Sequence, residues 1–201
     1  MGEKALIILI KNPRKGEVKT RLAKKIGDEK ALEVYLELLK HVKEITVNLD
    51  CNKYVFYSSY INEHDEWNSH NYDKFLQTGI DLGERMKNAF KETLEKNDKA
   101  LLIVSDCYEL NSEIINTAFE KLEEYDVVIG PDVDGGYYAI GMKEYHPELF
   151  DNKKWSTETV CSDTLEDSKK LGLNYYTLKK LSDIDNYEDL KKSSLFKIIQ
   201  A

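Results

Sequence analysis

The chain has 201 residues, 41% of them hydrophobic and 33% charged, a composition of soluble globular proteins that fits one domain with a core of its own. A net charge of −8 and an isoelectric point near 5.2 argue against general nucleic-acid binding, which needs clustered cations to neutralise phosphates. Ala5 to Ile10 is too short for a signal-peptide core or a membrane span, and Cys51, Cys107 and Cys161 match no CxxC pattern, so a reduced cytoplasmic protein away from membranes is expected.

Ala5 to Ile10 is an unbroken apolar run of strand length, as expected of a strand covered on both faces. The loop after it, Lys11-Asn12-Pro13-Arg14-Lys15-Gly16-Glu17-Val18-Lys19-Thr20-Arg21-Leu22, runs into a helix. Lys11, Arg14, Lys15, Lys19, Arg21, Lys24 and Lys25 crowd this part of an otherwise acidic chain. Backbone amides, a helix start and several cations make a natural phosphate cradle. The GxxxxGK[ST] spacing of a Walker A loop is absent, and a solvated basic loop is the plain alternative. Asp28 then opens a long amphipathic helix with Leu32, Tyr35, Leu36, Leu39 and Val42 at helical spacing. Tyr54 to Tyr57 reads as a second strand, and the polar stretch Ser58 to Tyr72 as a loop or weak helix.

Phe75-Leu76-Gln77 is a short strand candidate that leads through Thr78-Gly79-Ile80-Asp81-Leu82-Gly83 into a helix over Glu84 to Lys96. Gly79 and Gly83 suit a folded-back loop, and Arg85 in the first helical turn can reach an anion; ordinary turn and capping chemistry would explain the same residues. Leu101 to Val104 is a buried-type strand that ends at Ser105-Asp106-Cys107. A carboxylate at the end of a parallel strand is placed to hold Mg²⁺ or Mn²⁺, which can bridge a diphosphate; alternatively, Asp106 caps the next turn. Ser112 is the expected N-cap of a helix with Ile115, Ala118, Phe119 and Leu122 on its inner face.

Val127 to Ile129 reads as a strand, followed by Gly130-Pro131, the segment Asp134-Gly135-Gly136-Tyr137-Tyr138 and a strand at Tyr138 to Ile140. Adjacent glycines let the backbone turn sharply or approach a ligand where a Cβ would collide. The carboxylate before them can orient a sugar hydroxyl, a phosphate-bound metal or an amine. Taken alone, Asp-Gly-Gly is a turn, and it gains meaning from its company. Trp155-Ser156-Thr157 precedes another helix. In Leu181-Ser182-Asp183-Ile184-Asp185 two carboxylates fall on one side of an extended segment, where they could complete a metal shell, bind an acceptor or cap the helix that follows. Strands alternating with amphipathic helices call for an α/β sandwich with a mainly parallel central sheet flanked by helices. Ligands bind such sheets beyond the carboxyl ends of the strands, where all of these motifs fall.

In this order the motifs Lys-x-Pro-x-x-Gly-x-Val-Lys-Thr-Arg-Leu, Gln-x-Gly-x-x-Leu-Gly-x-Arg-Met, Ser-Asp-Cys, Gly-Pro-x-x-Asp-Gly-Gly-Tyr-Tyr and Asp-Ile-Asp resemble the DUF2064 glycosyltransferase-like family. Some of its members are labelled arsenosugar-biosynthesis glycosyltransferases. The resemblance runs from Lys4 to Leu190. That family is similar to the GT-A nucleotide-diphospho-sugar transferases and, more distantly, to the 2-phospholactate guanylyltransferases. The resemblance implies a Rossmann-like GT-A domain over residues 1–201. It implies a nucleotide cradle from Lys11, Pro13, Gly16, Lys19 and Arg21 with Gln77, Gly79, Gly83 and Arg85. It also implies a metal at Asp106 and a donor-sugar or acceptor side at Asp134, Gly135, Gly136 and Tyr137; Asp185 is the candidate second metal ligand and Trp155 a further candidate substrate contact. Two positions depart from the family pattern: Tyr108 stands where a proline follows the Asp-Cys pair, and Asn186 where a Thr follows Asp-Ile-Asp.

The function expected on this basis is metal-dependent transfer of a sugar from a nucleotide-diphosphate donor to a small acceptor, with Asp106 and Asp134 as the catalytic carboxylates. Nucleotidyl transfer from a nucleoside triphosphate would use the same cradle and cation. A nucleotide-binding module without chemistry is a third reading. The chain leaves a homodimer open.

Overall fold

The first apolar run becomes the centre of a seven-stranded sheet. In the computed structural model, which describes residues 3–199, β1 (Lys4–Ile10) pairs in parallel with β2 (Asn52–Tyr57) on one side and β4 (Lys99–Ile103) on the other. The strand order is β3-β2-β1-β4-β6-β5-β7, with β3 at Asp73–Leu76, β5 at Val127–Pro131, β6 at Tyr137–Met142 and β7 at Tyr175–Thr177. Only β6 runs against its neighbours β4 and β5; the other pairings are parallel. The sheet is therefore mainly parallel, as expected. The reversal of β6 makes Asp132 to Gly136 the turn of a β5–β6 hairpin, so this turn lies on the same edge as the carboxyl ends of the parallel strands.

Both faces of the sheet are covered, which is why its strands are apolar without alternation. Leu6, Ile8 and Ile10 of β1 face a layer with Tyr35, Leu39 and Val42 of α2 (Asp28–Thr46) and Ile115, Phe119 and Leu122 of α4 (Ser112–Glu124). Ala5, Ile7 and Leu9 face the other layer, with Met86, Ala89 and Phe90 of α3 (Leu82–Leu94), Leu149 and Phe150 of a 3₁₀ turn, and Val160 and Cys161 of α5 (Val160–Lys170). A third, smaller cluster joins Leu22 of α1 (Thr20–Ile26) and Val34 and Leu38 of α2 to Ile184. It continues to Leu190 of α6 (Tyr187–Lys192) and Leu195 of α7 (Leu195–Ile199).

Several boundaries differ from the sequence expectation. The long helix is present, but its buried face carries Ala31, Val34 and Leu38, while Leu36 is 46% exposed. The third cluster, with α1, α6 and α7, widens the buried arc of α2 beyond a single stripe. The cap of α4 is Asn111, not Ser112: its side-chain oxygen accepts from the Ile114 amide at 3.0 Å. Helix α3 begins two residues before Glu84, because Asp81 caps it by accepting from the Glu84 amide. Strand β7 carries no apolar run, only Tyr-Tyr-Thr at the sheet's edge. No helix among the described residues is long and apolar enough to cross a membrane.

Candidate active site

The carboxyl edge of the sheet gathers side chains from five loops. The loop after β1 is held at its start by Tyr35, whose hydroxyl accepts from the Lys11 amide at 2.9 Å and donates to the Lys11 carbonyl at 3.0 Å. Burial pushes the Tyr35 hydroxyl up to about 12, so it remains a donor across the ordinary pH range. Asn12, 3% exposed, ties this loop to the exit of β2: its carbonyl oxygen accepts from the Ser59 amide and its NH₂ donates to the Tyr60 carbonyl. Pro13 follows, and Gly16 turns the chain at φ +81°.

Lys19 ends the loop in the left-handed conformation, φ +46°, and thereby begins α1 with its side chain turned inward, 6% exposed. Its Nζ lies 2.9 Å from Oδ2 of Asp106 and 3.4 Å from Oδ1 of Asp185. Arg21, exposed, pairs with the other oxygen of Asp185 at 3.1 Å. Burial works against the charge on Lys19, but Asp106, Asp185 and Asp183 together outweigh it and raise its pKa.

Asp106 leaves β4, and Asp183 and Asp185 leave the segment after β7. Oxygens of the three lie within 4.8 Å of one another. Two features fix the second segment. The Ile184 amide donates to the Asp106 carbonyl at 3.0 Å, and the Ile184 side chain is 1% exposed in the third core cluster. With Ile184 turned in, its two neighbours must turn towards the edge. Burial, then the charges of Asp106, Asp132, Asp185 and Asp134, push the Asp183 carboxyl up to about 8. Three carboxylates partly withdrawn from water, with a lysine ammonium among them, form an all-oxygen donor set that suits a hard divalent cation.

On the far side of the edge, Asp134 is exposed and accepts from the Gly136 amide at 2.9 Å. Gly135, at φ +94°, is required by packing as well as by conformation: a Cβ there would lie 2.0 Å from the Glu158 carbonyl oxygen. Gly83, at the start of α3, gives the same relief to the indole of Trp155, which a Cβ would meet at 2.4 Å. The segment Trp155 to Glu158 is thus seated on two glycines, one at the start of α3 and one in the β5–β6 turn. Gln77 donates to the carbonyls of Ile10 and Phe56 at 2.9 and 2.8 Å, locking the exits of β1, β2 and β3 together. Arg85 donates to the Gly79 carbonyl at 3.2 Å, folding the glycine loop onto α3.

Of the residues anticipated from sequence, Lys19, Arg21, Asp106 and Asp185 form one contiguous cluster, which Asp183 completes. Lys11, Pro13 and Gly16 lie on the loop that leads to Lys19, and Gln77, Gly79, Gly83 and Arg85 lie beyond β3. Tyr137 was expected to face the substrate side and does not. It is 9% exposed in the core layer of α3, its hydroxyl 3.8 Å from Sδ of Met86, because the pleat sends alternate residues of β6 to opposite faces. The two departures from the family pattern are accommodated locally. The Tyr108 ring packs 4.4 Å from that of His41, and Asn186 caps α6 in a reciprocal capping box with Asp189. Asn12 and Asp132 are two further buried polar residues of this edge, outside the expected set. Their signal was positional: each is a polar residue flanking the end of a fully apolar strand.

The mainly parallel sheet order and the helices on both its faces define a Rossmann-like α/β fold. Residues 41–157 match the model of a family described as an uncharacterized protein conserved in bacteria (DUF2064), and the chain belongs to that family. A protein from Desulfovibrio desulfuricans G20, provisionally classed as a nucleotide-diphospho-sugar transferase, superposes with a TM-score of 0.85. It shows 29% identity, over 97% of this chain and 90% of that one. The inositol-1-phosphate CTP transferase of T. maritima shares the fold at a TM-score of 0.59 and 13% identity, over 98% and 95% of the two chains. A CMP:2-keto-3-deoxy-manno-octonic acid synthetase solved with CTP does so at 0.58 and 10%, over 99% and 100%. No protein of curated function matches the chain in sequence.

Proposed function

We propose that the protein is a transferase of nucleotide-activated substrates, moving a sugar from a nucleotide-diphosphate donor to a small acceptor. The observation that carries this reading is the convergence of Asp106, Asp183 and Asp185 within 4.8 Å beside Lys19 and Arg21, at the edge where such sheets bind ligands. The likeness to the Desulfovibrio protein over nearly the whole chain supports the sugar-donor class.

In this reading Asp106, Asp183 and Asp185 hold Mg²⁺ or Mn²⁺, which when bound supplies positive charge against the departing diphosphate. Lys19 and Arg21 neutralise the same phosphates, and the loop from Lys11 to Gly16 offers them its amides. Gln77, Gly79, Gly83 and Arg85 shape the nucleotide side. Asp134, exposed on the opposite loop, orients the acceptor hydroxyl and takes its proton if transfer inverts the anomeric centre. Trp155, with Gly135 and Gly136, borders the acceptor. The three free cysteines fit a reducing compartment, and the proposal places the protein in the cytoplasm.

Nucleotidyl transfer is the second reading, favoured by the fold shared with the two CTP-using proteins. Product analysis separates the two. Incubation with Mn²⁺ and a panel of nucleotide sugars is expected to release a nucleoside diphosphate. Pyrophosphate from nucleoside triphosphates would instead establish the second reading. Asp106→Asn should lower turnover at least about a hundredfold without changing the melting temperature by more than a few degrees; retained turnover would remove the cation site from the chemistry.

A further inference from the structure

Asp132 has no part in the reading above, although it lies between the acceptor-side turn and the cation-side carboxylates. It is 4% exposed, and a carboxylate so far from water must be hydrogen-bonded to be tolerated. Its two oxygens accept from main-chain amides. Oδ1 accepts from the Asp134 amide at 3.2 Å, and Oδ2 from the Asp183 amide at 3.1 Å. The two amides belong to different loops: one presents Asp134, the other Asp183 and Asp185, and Asp183 lies 51 residues beyond Asp132 itself. The backbones join at the same place, since Asp132 bridges Leu181 in parallel and the Val133 amide donates to the Leu181 carbonyl at 3.0 Å.

We infer that Asp132 is a positioning residue which, with one oxygen on each loop, sets the spacing between the acceptor-side carboxylate and the cation-side carboxylates. The inference rests on the site reading of the preceding section. Few side chains can do this. Asparagine has one acceptor oxygen, and its NH₂ would confront an amide donor. Glutamate keeps the charge and both oxygens, but its extra methylene moves the head out of the position where both amides are reached. The comparison of these two variants therefore separates geometry from charge.

The test measures three quantities on the wild type, Asp132→Asn and Asp132→Glu: the Mn²⁺ dissociation constant by calorimetry without nucleotide, amide hydrogen exchange in the metal-free proteins, and melting temperature. Expected is a loss of Mn²⁺ affinity of about tenfold or more in both variants, as for other residues that orient metal ligands. Faster exchange should be confined to residues 132–136 and 181–185, with little change in melting temperature. Wild-type affinity in Asp132→Glu would mean that charge alone matters and would overturn the inference. So would unchanged exchange in the two loops, or faster exchange spread through β1 and β4. If the wild type binds no Mn²⁺, the cation reading falls, and the exchange pattern alone decides the positioning role.

Discussion

At the scale of single residues the site is an exercise in crowded charge. Asp183 must share a small volume with Asp106 and Asp185, and its carboxyl holds its proton up to about pH 8, first because it is buried and then because of those neighbours. A folded-state pKa raised above the unfolded value of about 3.9 means that the native protein binds a proton which the unfolded chain releases. The corresponding stability is present below about pH 4 and is lost as pH rises through 8. Asp132, pushed up to about 6 chiefly by burial, acts in the same direction over the lower part of that window. The metal-free protein is therefore expected to melt at a lower temperature at pH 8.5 than at pH 5.5. Mn²⁺ should restore much of the difference at the higher pH, where the carboxylates are free to bind it. Asp183→Asn should flatten the profile. A melting temperature independent of pH and of Mn²⁺ would show that the cluster is not strained by its charge. The carboxylates themselves, with Asp106 and Asp185 about one metal, could be anticipated from Ser-Asp-Cys and Asp-Ile-Asp; that Lys19 pairs with both could not, because Lys19 and Asp185 are 166 residues apart and only the sheet order brings them together.

At the scale of elements, local chemistry predicts local structure where one signal dominates. The Asp28 helix and the strands at Ala5 and Leu101 are long or fully apolar, and each was legible. Signals of similar strength competed at the ends: Asn111 and Ser112 are both good caps, and only the extended backbone of Asn111 at ψ 171° decides between them. Asn111→Ala should therefore cost about 1 kcal/mol of stability in denaturant titration, and Ser112→Ala much less. The Asp-Gly-Gly turn shows the other kind of limit. Two glycines announce a tight backbone, but not that Gly135 serves a segment over twenty residues downstream. Gly135→Ala would combine a left-handed φ of +94° with a contact of 2.0 Å to the Glu158 backbone, which cannot rotate away. A loss of about 3 kcal/mol is expected, from strain and overpacking together. Gly136→Ala, whose Cβ would meet only a side-chain oxygen of Asp134 at 3.2 Å, should be far milder. Equal effects of the two would mean that the Trp155 to Glu158 segment moves freely.

At the scale of the whole molecule, the site can exist only when the entire sheet does. Its cations come from the loop after β1 and the first turn of α1, one carboxylate from the chain just beyond β4, and two from the chain beyond β7. The last of these segments is held by Ile184, which is buried with Leu22, Val34 and Leu38 in the third core cluster over α1 and α2. Ligand binding and global folding should therefore be one equilibrium. In urea, the fluorescence of Trp67, buried in the core, and of Trp155, beside the site, should report the same transition as far-ultraviolet circular dichroism. Mn²⁺ with a nucleotide sugar at a hundred times its dissociation constant should add about 2.7 kcal/mol to that transition for every probe alike. Truncation of Ile184 to alanine removes a fully buried side chain from the cluster that packs the Asp183–Asp185 segment against α1 and α2, at a cost of about 2–4 kcal/mol. Because Ile184 touches no ligand, its loss should weaken Mn²⁺ binding only through the position of Asp183 and Asp185, and adding back Mn²⁺ should recover part of the lost stability. If Ile184→Ala binds Mn²⁺ as tightly as the wild type, the two carboxylates are set by their own hydrogen bonds, and the third cluster serves the fold alone.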